Sequence, residues 1–168
     1  TVDLPGFGRS GPRGSWRDFL DRDLAAALAW LRAREPQCTL HVWGVSSGGY
    51  WLHPVLSQSR GQEHGVCGAF FEDVASHLLR WSWRVSPWGR PFYWMYRTFL
   101  RDAYRFLDMP LHAAARGVRK ATYVTGEDDL GVPPEDTRAF AEAAGGRALV
   151  IPGAGHLTAI KVANRQVL

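Results

Sequence analysis

Lysine, cysteine and methionine are scarce in this 168-residue chain, which carries only two of each. The two cysteines, Cys38 and Cys67, have no metal-ligand spacing and form no disulfide framework. Cys67 lies in an apolar, strand-like run and is expected to be a buried free thiol. Charges or prolines interrupt every apolar run before it reaches the length of a membrane span. No long polar or low-complexity tract argues for disorder. No signal peptide is visible. That absence carries little weight, because the chain begins at Thr1 without an initiator Met. "TVDLPG" reads as the last part of a strand, so the N-terminus is expected to lie upstream. Nothing in these features assigns a compartment.

The net charge of +4 is unevenly spread. Residues 80–120 hold nine basic residues against two acids, leaving the remainder of the chain acidic. All but Lys120 and Lys161 are arginines, and the chain is rich in Ala and Gly, which is coding bias as much as functional choice. The charge therefore does not call for nucleic acid as a partner.

Along the chain, strand and helix patterns alternate. After the strand end come "PGFGRSGPRG", a turn-rich loop, and a capping-box pattern of Ser15 with Asp18. A helix is expected from Trp16 to Arg34, with Leu20, Leu24, Leu28 and Leu31 on one face and Pro36 beyond its end. "TLHVWGV", "GVCGAFFEDVA", "KATYVTG" and "RALVIPG" read as strands. "YWLHPVL" opens a helix in which Pro54 sits early or makes a kink, and another helix runs from Pro134 to Ala144. This alternation predicts an α/β fold with a mostly parallel sheet.

Residues 76–117 break the rhythm and carry four of the eight tryptophans, Trp81, Trp83, Trp88 and Trp94. "RPFYWMYRTFLRDAYRFLDMP" reads as one helix ended by Pro110. Arg97, Arg101 and Arg105 line one face, and Phe92, Met95, Phe99, Ala103 and Phe106 make the other, which should pack inward. The segment is expected to be a helical insertion over the sheet. The arginine stripe reads first as a solvated face. The alternative is a surface for an anionic group: a carboxylate, a phosphate or a membrane headgroup.

The chemistry is carried by "GVSSG", which fits G-x-S-x-G with Gly44, Ser46 and Gly48. In that pattern the nucleophile sits on a sharp strand-to-helix turn, and the positions two before and two after it must be small. For Ser46 these are Gly44 and Gly48; for Ser47 they would be Val45 and Gly49. A β-branched Val fits poorly, so the register selects Ser46, and Ser47 is left to offer its backbone N–H to an oxyanion. A serine needs a base and an orienting acid. The acids Glu127, Asp128 and Asp129 follow one strand, and His156 follows another, in a loop with Gly153 and Gly155. All lie past the C-terminal ends of parallel strands, where ligands bind in open α/β sheets. His41, His53, His77 and His112 have no such setting.

These residues resemble the α/β-hydrolase fold superfamily, in its serine-nucleophile branch with a helical cap. "DLPGFGRSG" resembles the loop after the family's fourth strand and "HVWGVSSGG" its nucleophile elbow. "VTGEDDLGVP" resembles the acid loop and "IPGAGH" the histidine loop. The resemblance implies Ser46 as nucleophile and His156 as general base. It selects Asp129 as the acid, three residues after the loop glycine, with Asp128 as fallback. Asp73, in "FFEDVA", is a second fallback, because some members place the acid after the sixth strand; its plainer reading is a loop or cap residue. The implied division is a partial core over 1–75 and 118–168, with a cap over 76–117.

The implied activity is cleavage of an ester or related acyl bond in a small, hydrophobic acyl substrate, with no metal or organic cofactor. The chain departs from the family in lacking any counterpart of its first three strands and of the oxyanion loop after the third. It is therefore expected to be an N-terminally truncated piece of a longer hydrolase, poorly active or unstable alone. The same departure keeps open a non-catalytic scaffold that binds a ligand. Contact of the arginine-rich helix with a membrane surface is a weaker alternative.

Overall fold

A computed structural model of the chain describes residues 8–11, 19–57, 65–100, 115, 118 and 120–167. The strand end at 1–5, the Ser15–Asp18 capping box, Arg101, Arg105 and His112 lie outside the described residues.

A π-helical turn, Phe19–Leu24, leads into α1, Ala25–Arg34. Leu24 and Leu28 face the core, while Leu31 is exposed. There follow β1 (Leu40–Val45), α2 (Ser47–Ser57) and β2 (Val66–Glu72). Among the described residues two helices, α3 (Leu78–Val85) and α4 (Gly89–Phe99), stand between β2 and β3 (Ala121–Gly126). Helix α5 (Pro134–Ala144), strand β4 (Arg147–Ile151) and helix α6 (Ala159–Val167) complete the described chain.

Among the described residues, four strands form one sheet in the order β1-β2-β3-β4, every pair parallel. The α/β architecture expected from the alternating pattern is thus observed. Parallel strands need long crossovers. Here α2, the α3–α4 segment and α5 lie in those crossovers. All four strands run the same way, so their C-terminal ends, and the loops that follow, gather at one edge.

The core lies where α1, α2 and α5 cover β1–β3, built on Tyr50, Val55, Phe71, Tyr123 and Phe140. Tyr123 stacks on Phe71 and Phe140 with centroids 5.0 and 5.5 Å away. Between them sits His53, which is fully buried. Its Nδ1 donates to the Gly49 carbonyl at 2.7 Å. Its Nε2 is then the acceptor, taking the Tyr123 hydroxyl at 3.0 Å. Pro54 is accommodated inside α2, which continues to Ser57.

Two sequence expectations fail here. Cys67 is exposed, not buried. The β1–β2 register steps from Leu40↔Val66 to His41↔Gly68, so Cys67 is the extra residue of a bulge and leaves the pleat. The long helix to Pro110 is also not observed, since α4 ends at Phe99 with Leu100 as its cap. Its buried face is rotated as well. Tyr93 and Tyr96 pack against Leu79 and Trp83 of α3, while Phe92, Met95 and Phe99 are exposed. The cause is the partner: α4 is docked on another helix, not on the sheet. Arg97 lies over Trp94, at 5.2 Å from the ring centroid. Among the described residues, no helix is long and apolar enough to cross a membrane.

Replacing Tyr123 by Phe keeps the aromatic stack but removes the hydroxyl that His53 Nε2 accepts. The expected cost is about 1–2 kcal/mol in urea unfolding, with the slope unchanged.

Candidate active site

The site is assembled from three loops at the C-terminal edge of the sheet. The first is the turn from β1 to α2. Ser46 occupies it with φ +48°, a left-handed conformation that non-glycine residues rarely adopt. The turn is held by two backbone bonds: the Ser46 N–H donates to the Glu72 carbonyl at 2.8 Å, and the Tyr50 N–H to the Ser46 carbonyl at 3.1 Å.

Close backbone approach also shapes the turn. A Cβ on Gly44 would stand 2.5 Å from the Gly49 Cα, and one on Gly49 would strike the Val74 side chain. A Cβ on Gly48 would meet nothing within 4 Å. The expectation that Gly48 must be small is therefore corrected. The sterically obligatory glycines are the second before Ser46 and the third after it, because α2 starts at once and turns Gly49, not Gly48, back over β1. Ser47 is exposed at the first position of α2.

The second loop follows β3 and the third follows β4. His156 faces both the turn and the acid loop. Its Nε2 lies 3.2 Å from the Ser46 Oγ, and its Nδ1 lies 2.7 Å from Asp129 Oδ2. A carboxylate only accepts, so Nδ1 carries the proton and a neutral ring leaves Nε2 free to accept the Ser46 hydroxyl. The other Asp129 oxygen accepts the Gly131 and Val132 amides at 2.8 and 2.9 Å, which fixes its orientation. Burial alone pushes the Asp129 carboxyl up. The hydrogen bonds from His156, Val132 and Gly131 outweigh burial and hold it below the ordinary carboxylate value.

His156 is raised above the ordinary histidine value. The Asp129 hydrogen bond contributes most, partial burial opposes it, and the charges of Asp129, Asp73 and Glu72 add to the rise. Asp128 and Glu127 are exposed and contribute backbone amides, to the Ala154 and Ile151 carbonyls. The structure thus brings Ser46, Asp129 and His156 together and leaves Asp128 outside.

Asp73 is fully buried, has φ +50°, and accepts the Leu157 amide at 2.6 Å and the Gly126 amide at 3.4 Å. Burial pushes its carboxyl above the ordinary value, against hydrogen bonds that lower it. Glu72 is also raised, first by burial. Asp73, Asp129 and His156 offer ligand-type atoms within 4.8 Å of one another. Hydrogen bonds to one another and to backbone amides account for that cluster.

The model of the alpha/beta hydrolase family matches residues 1–162. The chain belongs to that family. Among solved structures, an esterase from Pyrococcus furiosus is 19% identical with a TM-score of 0.69, over 98% of this chain and 65% of its own. An esterase from Thermogutta terrifontis is 22% identical with a TM-score of 0.56, over 98% of this chain and 74% of its own. A serine hydrolase homologue from Coxiella burnetii is 18% identical with a TM-score of 0.62, over 98% of this chain and 63% of its own. These likenesses show the alpha/beta hydrolase fold. No curated protein is significantly similar to the sequence.

In this alpha/beta hydrolase the helix that follows β2 reaches the site. The Trp81 ring of α3 lies 5.7 Å from the His156 ring, and a Cβ on Gly131 would collide with its indole nitrogen. Asp136 of α5 accepts the Ser76 hydroxyl at 2.8 Å and pairs with Arg84 at 3.3 Å, tying the same helix down. Sequence reasoning missed Trp81 as a neighbour of His156. The only available signal was the G-V-P-P turn, whose Gly131 admits the indole.

Two outcomes follow from this geometry. Gly44→Ala and Gly49→Ala should each destabilise by roughly 1–3 kcal/mol, while Gly48→Ala should be neutral or slightly stabilising in thermal and urea unfolding. The His156–Asp129 pair is also linked to pH. The raised His156 contributes stability that is full below the ordinary histidine pKa and is lost as pH rises through its raised value. The lowered Asp129 contributes stability present above the ordinary carboxylate pKa and lost as pH falls through its lowered value. Asp129→Asn should move the His156 ring titration, followed by NMR, to lower pH.

Proposed function

We propose that this chain carries the catalytic centre of a serine hydrolase acting on an ester or related acyl bond. The observation that carries the reading is the relay of Ser46 Oγ to His156 Nε2 at 3.2 Å and His156 Nδ1 to Asp129 at 2.7 Å. Ser46 attacks the acyl carbonyl carbon while His156 Nε2 takes its proton. The tetrahedral oxyanion accepts the Ser47 N–H, at the first position of α2, where a helix gives its amides no intrahelical partner. His156 then protonates the departing alcohol as the carbon–oxygen bond breaks, leaving Ser46 acylated. A water deprotonated by His156 attacks the acyl-enzyme, and the acid is released as Ser46 regains its proton. Asp129 holds the ring in the required tautomer and stabilises the imidazolium.

The esterases of similar fold support ester chemistry, and the Trp81 ring beside His156 supports an apolar acyl group. The raised His156 places the acid limb of the rate above the ordinary histidine pKa, because only the neutral ring can accept the Ser46 proton.

A fluorophosphonate probe tests the reading directly. Labelling is expected at Ser46, lost in Ser46→Ala, slowed on the order of a thousandfold or more in His156→Ala, and retained in Ser47→Ala. A folded chain that takes no label at Ser46 overturns the assignment.

A further inference from the structure

The end of β2 holds two buried carboxylates that the relay does not use, Glu72 and Asp73. Each is bonded to a backbone amide in the segment that follows His156. Asp73 Oδ2 accepts the Leu157 N–H at 2.6 Å, and Glu72 Oε1 accepts the Ile160 N–H at 3.4 Å, at the entry to α6. The other Asp73 oxygen accepts the Gly126 N–H, where β3 gives way to the acid loop. The Glu72 main-chain carbonyl accepts the Ser46 N–H. All three loops of the site are therefore referenced to one dipeptide.

The backbone makes that anchoring necessary. Leu157, directly after His156, has φ +60°, and Asp73 has φ +50°. Neither is glycine, and a leucine in the left-handed region persists only where its surroundings over-determine it. The shortest of these bonds joins the two strained residues to each other. Asp73 is not the relay acid, because His156 Nδ1 is already committed to Asp129 at 2.7 Å.

We propose that Asp73 is a positioning residue: by holding the Leu157 amide on its carboxylate, it sets the His156 ring in register with Ser46 and Asp129. The inference rests on the serine-hydrolase reading for its kinetic test only. The charged groups facing His156 are Asp129 from the acid loop and Glu72 and Asp73 from β2 and its end; those facing Asp73 are Glu72, Asp129 and His156.

The experiment compares Asp73→Asn and Asp73→Ala in the full chain. One readout is the rate of fluorophosphonate labelling at a pH above the His156 titration, and the other is the His156 ring titration by NMR. Asp73→Ala removes the acceptor and should slow labelling about 10- to 100-fold, in line with the loss that follows misplacement of a catalytic group. Asp73→Asn keeps an acceptor oxygen for the short Leu157 bond, gives up only the longer Gly126 contact, and should stay within about threefold of the parent at high pH. It also removes a negative charge near His156, so its ring titration should move to lower pH. A general loss of stability would not reproduce that split. The proposal is overturned if Asp73→Ala labels within threefold of the parent, or if Asp73→Asn is as slow as Asp73→Ala. Should Asp73→Ala fail to fold, Asp73→Ser takes its place, because its hydroxyl is too short to reach the Leu157 amide: the same slowing supports the proposal, and labelling within threefold of the parent overturns it. If the parent takes no label, the serine-hydrolase reading falls. Asp73 is then judged by NMR alone: Leu157 amide and His156 ring shifts that stay at the parent's values in Asp73→Ala overturn the positioning role.

Discussion

The site depends on one left-handed residue being held at the end of a parallel strand. Ser46 costs its backbone about 1–3 kcal/mol to occupy φ +48°. Three features hold it there. Its amide is bonded across the sheet to Glu72, its carbonyl caps α2 through Tyr50, and Gly44 and Gly49 let the strand and helix touch backbone to backbone. Behind them His53 spans from the Gly49 carbonyl to the Tyr123 hydroxyl. The elbow is therefore braced from the sheet edge and from the core at once. The hydroxyl that results is aimed at the histidine loop instead of at its own helix.

Electrostatics at the same edge follow from that placement. Three carboxylates, Glu72, Asp73 and Asp129, lie buried near one histidine. Unpaired buried carboxylates would be costly, and burial does push Glu72 and Asp73 upward. Asp129 escapes because it has the most complete set of donors: an imidazole on one oxygen and two amides on the other. Asp73 has two amides and Glu72 a weaker set. The ranking of donors separates an acid kept ionised beside the histidine from acids whose work is to hold backbone. Proximity to His156 alone would not separate them.

Much of this was legible in the sequence. The strand–turn–helix pattern around "GVSSG" placed Ser46, and the strand ends before the acid cluster and before His156 placed both on the same edge, because parallel strands share a direction. What was not legible depends on three-dimensional contacts. Which glycine is obligatory depends on which backbone lies above it, and that selects Gly49 over Gly48. Cys67 stands in an apolar run, yet a one-residue bulge turns it outward, and a bulge leaves no mark in hydrophobic periodicity. The inward face of α4 was misread because its spacing allowed two faces and the docking partner, α3, decided between them. His53 was set aside as a helix residue, since nothing in its neighbours in sequence announces Tyr123, seventy positions away.

The loop after β3 joins these threads. Asp129 orients the histidine, and its neighbours Gly131 and Val132 supply the amides that orient Asp129. Gly131 is also the point where Trp81 rests, and α5, which begins just beyond, carries the Asp136 that grips Ser76 and Arg84. The same short turn thus sets the acid and seats the helix that overlies the base. Trp81 therefore lies against both the turn that orients the acid and the ring of the base.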